Sequence, residues 1–168
     1  MPARSGVRRV TDSTATGGGA VAHRPEIYVD ADACPVRDEV LRVADRHGLV
    51  VHLVSNRGFR TTDRPNVHNV LVSDRLDAAD DWIAERIAAG DVAVTGDIPL
   101  AARCLERGAR VLDSKGKPFT EHGIGMALAM RDLMSDLRAM GEVSGGGPGF
   151  TKQDRSRFLE ALERAVRP

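Results

Sequence analysis

The chain has 168 residues, 42% hydrophobic and 29% charged, a balance that suits one globular domain and excludes a disordered or fibrous protein. Lysine plus arginine and aspartate plus glutamate both number 24, so there is no net positive field to attract nucleic acid, and any polyanion must be held by a local patch. Cys34 and Cys104 are too few for a disulfide framework or a spaced metal-ligand set, and no stretch approaches the roughly 18 apolar residues of a membrane span. The expectation is a cytoplasmic protein with no membrane partner.

Residues 1–24 contain a Gly-Gly-Gly run, five Ser/Thr, four arginines and one acid without hydrophobic periodicity. They read as a disordered N-terminal tail ahead of a single domain over 25–168. That tail is basic, so the remainder is slightly acidic. From residue 26 the pattern alternates between short apolar runs and helical spacing. A strand is predicted over 26–30, then a helix over 35–47 with Val36, Val40, Leu41 and Ala44 on one face and Gly48 as its stop. Strands follow over 49–54 and 67–72, separated by a polar loop. A helix opens at Asp77 with Ala78, Trp82, Ile83 and Ile87 at core spacing and ends at Gly90. Next come a strand over 91–95, a helix over 98–107 stopped by Gly108, and a strand over 109–112.

Thr120 caps a further predicted helix, with Ile124, Leu128, Leu133 and Leu137 behind it, reaching about residue 140. After a Gly-rich loop, Thr151 and Asp154 form a capping-box-like start for a last helix carrying Phe158, Leu159, Leu162 and Val166. Strands of four to six residues alternating with longer helices indicate βαβ units. The expected class is α/β, three-layered, with a mostly parallel sheet, helices on both faces and a C-terminal helical extension.

Ligands of open α/β sheets bind outside the carboxyl ends of the strands. In this chain those positions are acidic: Asp30-Ala31-Asp32 after the first strand, Asp74 and then Asp77, Asp80 and Asp81 after the third, Asp97 after the fourth, and Asp113 after the fifth. Asp77 lies i,i+3 from Asp80 and i,i+4 from Asp81, so the three share a helix face. Asp77 or Asp97 alone would read as a helix cap. Asp30 and Asp32 would share one face of an extended strand, where two anions gain nothing structurally. Carboxylates gathered from four segments repel one another unless a cation sits among them. Oxygen ligands without a His or Cys cluster point to Mg²⁺ or Mn²⁺, which could activate water and hold a phosphoryl oxygen.

Val29-Asp-Ala-Asp-Ala-Cys-Pro35, Asp77-Ala-Ala-Asp80, residues 90–101 (GDVAVTGDIPLA), Met130-Arg-Asp-Leu-Met134 and Gly146-Gly-Pro148 resemble the bacterial YaiI/YqxD family, over about residues 26–166. That family, which has no assigned biochemical role, is similar to PIN-like domains, which are metal-dependent nucleases. The resemblance implies a PIN-like fold and makes Asp30 the first-strand acid. Asp77 or Asp80 becomes the middle acid, and Asp97 the acid of a Thr-x-Asp-x-x-Leu motif. Asp113 stands where many PIN domains place a fourth acid.

Other residues carry further expectations. Cys34, near the start of the first helix, reads as a small buried hydrophobe more readily than as a nucleophile, and Cys104 as core. Asn56, Arg57, Arg60 and Arg64, in the loop after the second strand, are candidate phosphate contacts, as are Lys115 and Lys117. His122, Gly123 and the glycines of 145–149 could frame a binding loop, and Trp82 reads as core.

The leading functional expectation is a metal-dependent nuclease with nucleic acid, RNA before DNA, as substrate. Asp30, Asp77 or Asp80, and Asp97 would hold the metal, and Asp32 would bind metal or orient water. The alternatives are a phosphatase of haloacid-dehalogenase type using Asp30 as nucleophile, and a non-catalytic nucleic-acid-binding module. The sequence is compatible with a homodimer.

Overall fold

The computed structural model describes residues 23–58, 62–139 and 149–167. In chain order the elements are β1 (Ile27–Asp30), α1 (Arg37–His47), β2 (Val51–Ser55), β3 (Val67–Leu71), α2 (Ala78–Arg86), β4 (Val92–Val94), α3 (Ile98–Glu106), β5 (Arg110–Leu112), β6 (Pro118–Phe119), α4 (Glu121–Ala139) and α5 (Lys152–Val166). The six strands lie in the order β3-β2-β1-β4-β5-β6. All neighbours pair in parallel except β5 and β6, which are antiparallel. The fold is therefore α/β with a mostly parallel sheet.

Alternation along the strands divides the core in two. Ile27, Val29, Val51, Leu53, Val92 and Val94 point to one side, where α1 supplies Val40 and Val43 and α5 supplies Phe158, Leu162 and Val166. Tyr28, Val54, Ala93 and Val111 point to the other, against Ile83 of α2 and Leu100, Ala101 and Cys104 of α3. On that second side the rings of Tyr28 and His52 stack with centroids 4.5 Å apart, and His52 and His68 at 5.1 Å, across three registered strands. Trp82 tilts against Tyr28 and His52 and is half-buried beneath the Arg86 guanidinium, so it belongs to this layer.

Local chemistry sets the element ends. The first helix begins at Arg37 instead of residue 35 because Ala31–Ala33 form a 3₁₀ turn after β1. Gly48, at φ 64°, closes α1 in the left-handed region that a side chain disfavours. Thr151 and Asp154 make the capping box of α5 in both directions. The C-terminal helix packs on α1 and completes the layer over that face of the sheet.

Two features differ from expectation. The two-residue strand β6 was not anticipated, being too short and too proline-bound to show a period. On α4, Leu133 was expected on the inner face but is 51% exposed, with Met126 at 73% and Met130 at 55%. The segment over 140–148, including Gly146-Gly-Pro148 and most of the Gly-rich loop, lies outside the described residues, as do residues 1–22. Among the described residues no helix is long and apolar enough to cross a membrane.

Candidate metal centre

β1 and β4 are adjacent, yet the chain winds outward from them in opposite directions, to β2 and β3 on one side and to β5 and β6 on the other. This is the switch point, where loops leaving the two strands separate and open a crevice. A cavity of about 440 Å³ lies there, lined by Asp30 and Cys34 after β1, by Thr95, Gly96 and Asp97 after β4, and by Ser114 after β5. Asp30 and Asp97, 67 positions apart in the sequence numbering, thus meet at one opening.

Thr95, 3% exposed, ties the two segments together. Its hydroxyl donates to Asp30 Oδ2 at 3.2 Å, and its oxygen accepts the Asp97 N–H at 3.0 Å. Asp97 caps α3, its Oδ1 accepting the Leu100 N–H at 2.9 Å, which leaves Oδ2 outside the cap. Burial raises the Asp30 carboxyl above its ordinary value; the Thr95 hydrogen bond opposes this, and the charges of Asp32 and Asp97 reinforce it.

Asp80, in the first turn of α2, is pushed up to about 6, first by burial and then by the charges of Asp97, Asp30 and Asp77, with Arg103 opposing. Of the two candidates for the middle acid, Asp80 is thus the one that feels both Asp30 and Asp97. Asp77 is exposed and sits at φ 64° at the head of α2, without the side-chain cap bond expected of it. No other described non-glycine residue has a positive φ. The amino ends of α2 and α3 both supply positive dipole to this edge.

Asp32 goes elsewhere. The chain leaves extended geometry at Ala31, so Asp32 does not share a strand face with Asp30. Its Oδ1 accepts the Ser55 hydroxyl and its Oδ2 the Asn56 N–H at 3.2 Å, tying the 3₁₀ turn to the end of β2. Two other acids have structural partners. Asp81 pairs with Arg75 at 3.1 Å and Arg103 at 2.8 Å, and Asp113 Oδ1 accepts the N–H groups of Lys115 and Lys117 within its own turn. Ser55, 1% exposed, and Thr95 position this edge, and neither was singled out as a functional residue from the sequence. The Thr-x-Asp spacing was the available signal for Thr95.

Burial pushes the Cys34 thiol up to about 11, with Asp30 and Glu39 adding to the rise, so it is a packed thiol and not an activated one. Cys104 is fully buried and likewise pushed up to about 12. Among the candidate phosphate contacts, Asn56 borders the end of β2, Arg57 is exposed beside it, and Arg60 lies outside the described residues. Arg64 is drawn away into an ion pair with Asp45. Lys115 and Lys117 line a second cavity of about 470 Å³ that shares Gly96, Ile98 and Ser114 with the first.

Among the described residues no group of three or more His, Cys, Asp or Glu side chains is arranged to hold a metal ion. The donors at the switch point are all hard oxygens, however, and Mg²⁺ is commonly held by one or two carboxylates with water completing its shell. Asp30 with Asp97 or Asp80 fits an ion of that kind.

The model of the family described as "Uncharacterized BCR, YaiI/YqxD family" matches residues 28–168. The chain belongs to the YaiI/YqxD family. Its relatives include a UPF0178 protein of Parvibaculum lavamentivorans, 62% identical over 84% of this chain and 93% of that protein. A UPF0178 protein of Rhodospirillum rubrum is 57% identical over 84% and 95%, and one of Rhodopseudomonas palustris 55% identical over 84% and 86%. No solved structure gives a significant match.

Proposed function

We propose that this member of the YaiI/YqxD family is a metal-dependent nuclease that hydrolyses phosphodiester bonds, with RNA as its favoured substrate and Mg²⁺ or Mn²⁺ as its cofactor. The observation that carries the reading is the meeting of Asp30 and Asp97 at the switch-point crevice, near enough to Asp80 for the three charges to be felt there, with no ion pair to any of them among the described residues. Their mutual repulsion is what a bound cation would relieve.

Asp30 and Asp97 would hold the ion, with water completing its shell. When bound, it lowers the pKa of a coordinated water and offsets charge developing on a phosphoryl oxygen. Thr95 keeps Asp30 and Asp97 at a fixed separation, so the site is preorganised. Burial and the charges of Asp97 and Asp30 push the Asp80 carboxyl up to about 6 in the metal-free protein, a rise that a bound cation would relieve. Lys115 and Arg57, exposed on either side of the crevice, supply charge for flanking phosphates.

The haloacid-dehalogenase alternative needs a second carboxylate beside the Asp30 nucleophile, whereas Asp32 spends both oxygens on Ser55 and Asn56. The discriminating experiment incubates the purified protein with single-stranded RNA, single-stranded DNA and a phosphomonoester, each with Mn²⁺, Mg²⁺ or EDTA. Metal-dependent cleavage of nucleic acid is expected, RNA faster than DNA. Turnover of the phosphomonoester alone, or nucleic-acid binding without turnover, would overturn the proposal.

A further inference from the structure

At the amino ends of the strands the charge is reversed. A cavity of about 420 Å³ opens beyond the starts of β1, β2, β4 and β5, walled by His23, Arg24, His47, Arg110 and Arg167, and among the described residues no carboxylate lines it. The neighbouring acids are already used. Asp91, 1% exposed, accepts from His23 Nε2 at 2.8 Å, from the Glu26 N–H at 3.0 Å and from the Ala88 N–H at 2.9 Å. Glu163 pairs with Arg46 through one oxygen and with His47 through the other.

The arginines are aimed but not consumed. Arg24 Nη2 donates to the His47 carbonyl at 3.5 Å, at the end of α1, and Arg110 Nη1 to the Ala165 carbonyl at 2.7 Å, in the last turn of α5. A guanidinium carries five donors in a rigid fork, so one such bond leaves most of the fork for a ligand. Arg167 has no ion pair among the described residues and completes the wall. The two helix carboxyl ends together present about one negative charge, which three guanidiniums outweigh. Capping two helix ends requires one cation at each and gives no reason for a third arginine around a cavity.

We propose that this cavity binds a small phosphomonoester such as a mononucleotide, its phosphate held by Arg24, Arg110 and Arg167 and its body resting on Pro25, Leu49 and Val166, which complete the lining. The volume lies within the roughly 300–1,000 Å³ of small-molecule sites, and the fork geometry of arginine suits phosphate oxygens. This site is separate from the carboxylate crevice, and its occupancy is measurable without any cleavage.

Titration calorimetry of the full chain in EDTA and low salt, with adenosine monophosphate and with inorganic phosphate, tests it. Both anions are expected to bind competitively, the mononucleotide more tightly. Arg110→Ala and Arg167→Ala should each weaken binding about tenfold or more, with Arg110→Lys in between. Arg86→Ala, on the Trp82 ring, should leave it unchanged, and melting curves identify any variant that fails to fold, in which case Arg110→Gln takes its place. Silence toward both anions, equal weakening by Arg86→Ala, or inorganic phosphate bound as tightly as the mononucleotide would overturn the proposal. So would a single-stranded RNA bound more tightly through the same arginines, which would assign the cavity to a nucleic-acid backbone.

Discussion

The two ends of the sheet treat the same kinds of charged residue in opposite ways. At the amino ends the acids beside the cavity are matched: Asp91 accepts three hydrogen bonds, Glu163 takes one arginine and one histidine, and among the described residues arginines are the charge left facing the cavity. At the carboxyl ends Asp30 and Asp97 are left facing theirs, with the charge of Asp80 added to them, while the arginine within reach, Arg103, is bonded to Asp81. A chain with equal numbers of acids and bases is therefore polarised along its strands. Near-zero net charge says nothing about where unmatched charge collects, and function belongs where it does.

Substitutions at the carboxylate end should separate function from stability. The largest effect is expected from Asp30→Asn, which should lower metal-dependent cleavage by about 10²-fold or more while leaving the melting temperature in EDTA unchanged or higher. Cleavage that survives this change would remove the functional contrast between the ends. Thr95→Val comes next. Losing its two hydrogen bonds should cost about 1–2 kcal/mol in denaturant melts and slow cleavage about tenfold, by unfixing Asp30 from Asp97.

Thr151→Ala, at the head of α5, whose C-cap is Arg167, should cost about 1 kcal/mol through loss of the capping box and leave the cleavage rate per folded molecule unchanged. The smallest effect concerns Asp80 in metal-free protein. Its carboxyl titrates near 6 when folded against an ordinary 3.8, so between those values the folded state keeps a proton that the unfolded chain has lost. Stability should therefore fall as pH rises from about 4 to 6 and stay lowered above that. Asp80→Asn should remove this fall and raise the melting temperature at pH 7 by a few degrees. A melting temperature that rises over that window in the wild type would contradict the picture of unrelieved repulsion.

Much of this arrangement was legible in the sequence. Helical spacing such as Val36, Val40, Leu41 and Ala44 fixed the order of elements, and acids immediately following predicted strands located Asp30 and Asp97 at the ligand edge before any coordinates. Asp32 was misplaced geometrically because alternation holds only while the chain stays extended, and the 3₁₀ turn begins one residue earlier. The choice of Asp80 over Asp77 depends on which turn of α2 faces the crevice, which spacing alone leaves open. Leu133 shows the converse: apolar spacing marks a stripe on α4 without saying whether the fold covers it. The arginine cavity had no signature at all, since its walls come from the segment before β1, the last residues of α1 and α5, and the start of β5.

The central claim, that the carboxylates of the switch point hold a hard cation, is tested most directly by diffraction from a crystal soaked in Mn²⁺ and recorded at the manganese absorption edge. The account predicts an anomalous peak between Asp30 and Asp97, absent in crystals of Asp30→Asn. A fully soaked crystal with no peak at that crevice, or with manganese bound only at other carboxylates, would contradict it.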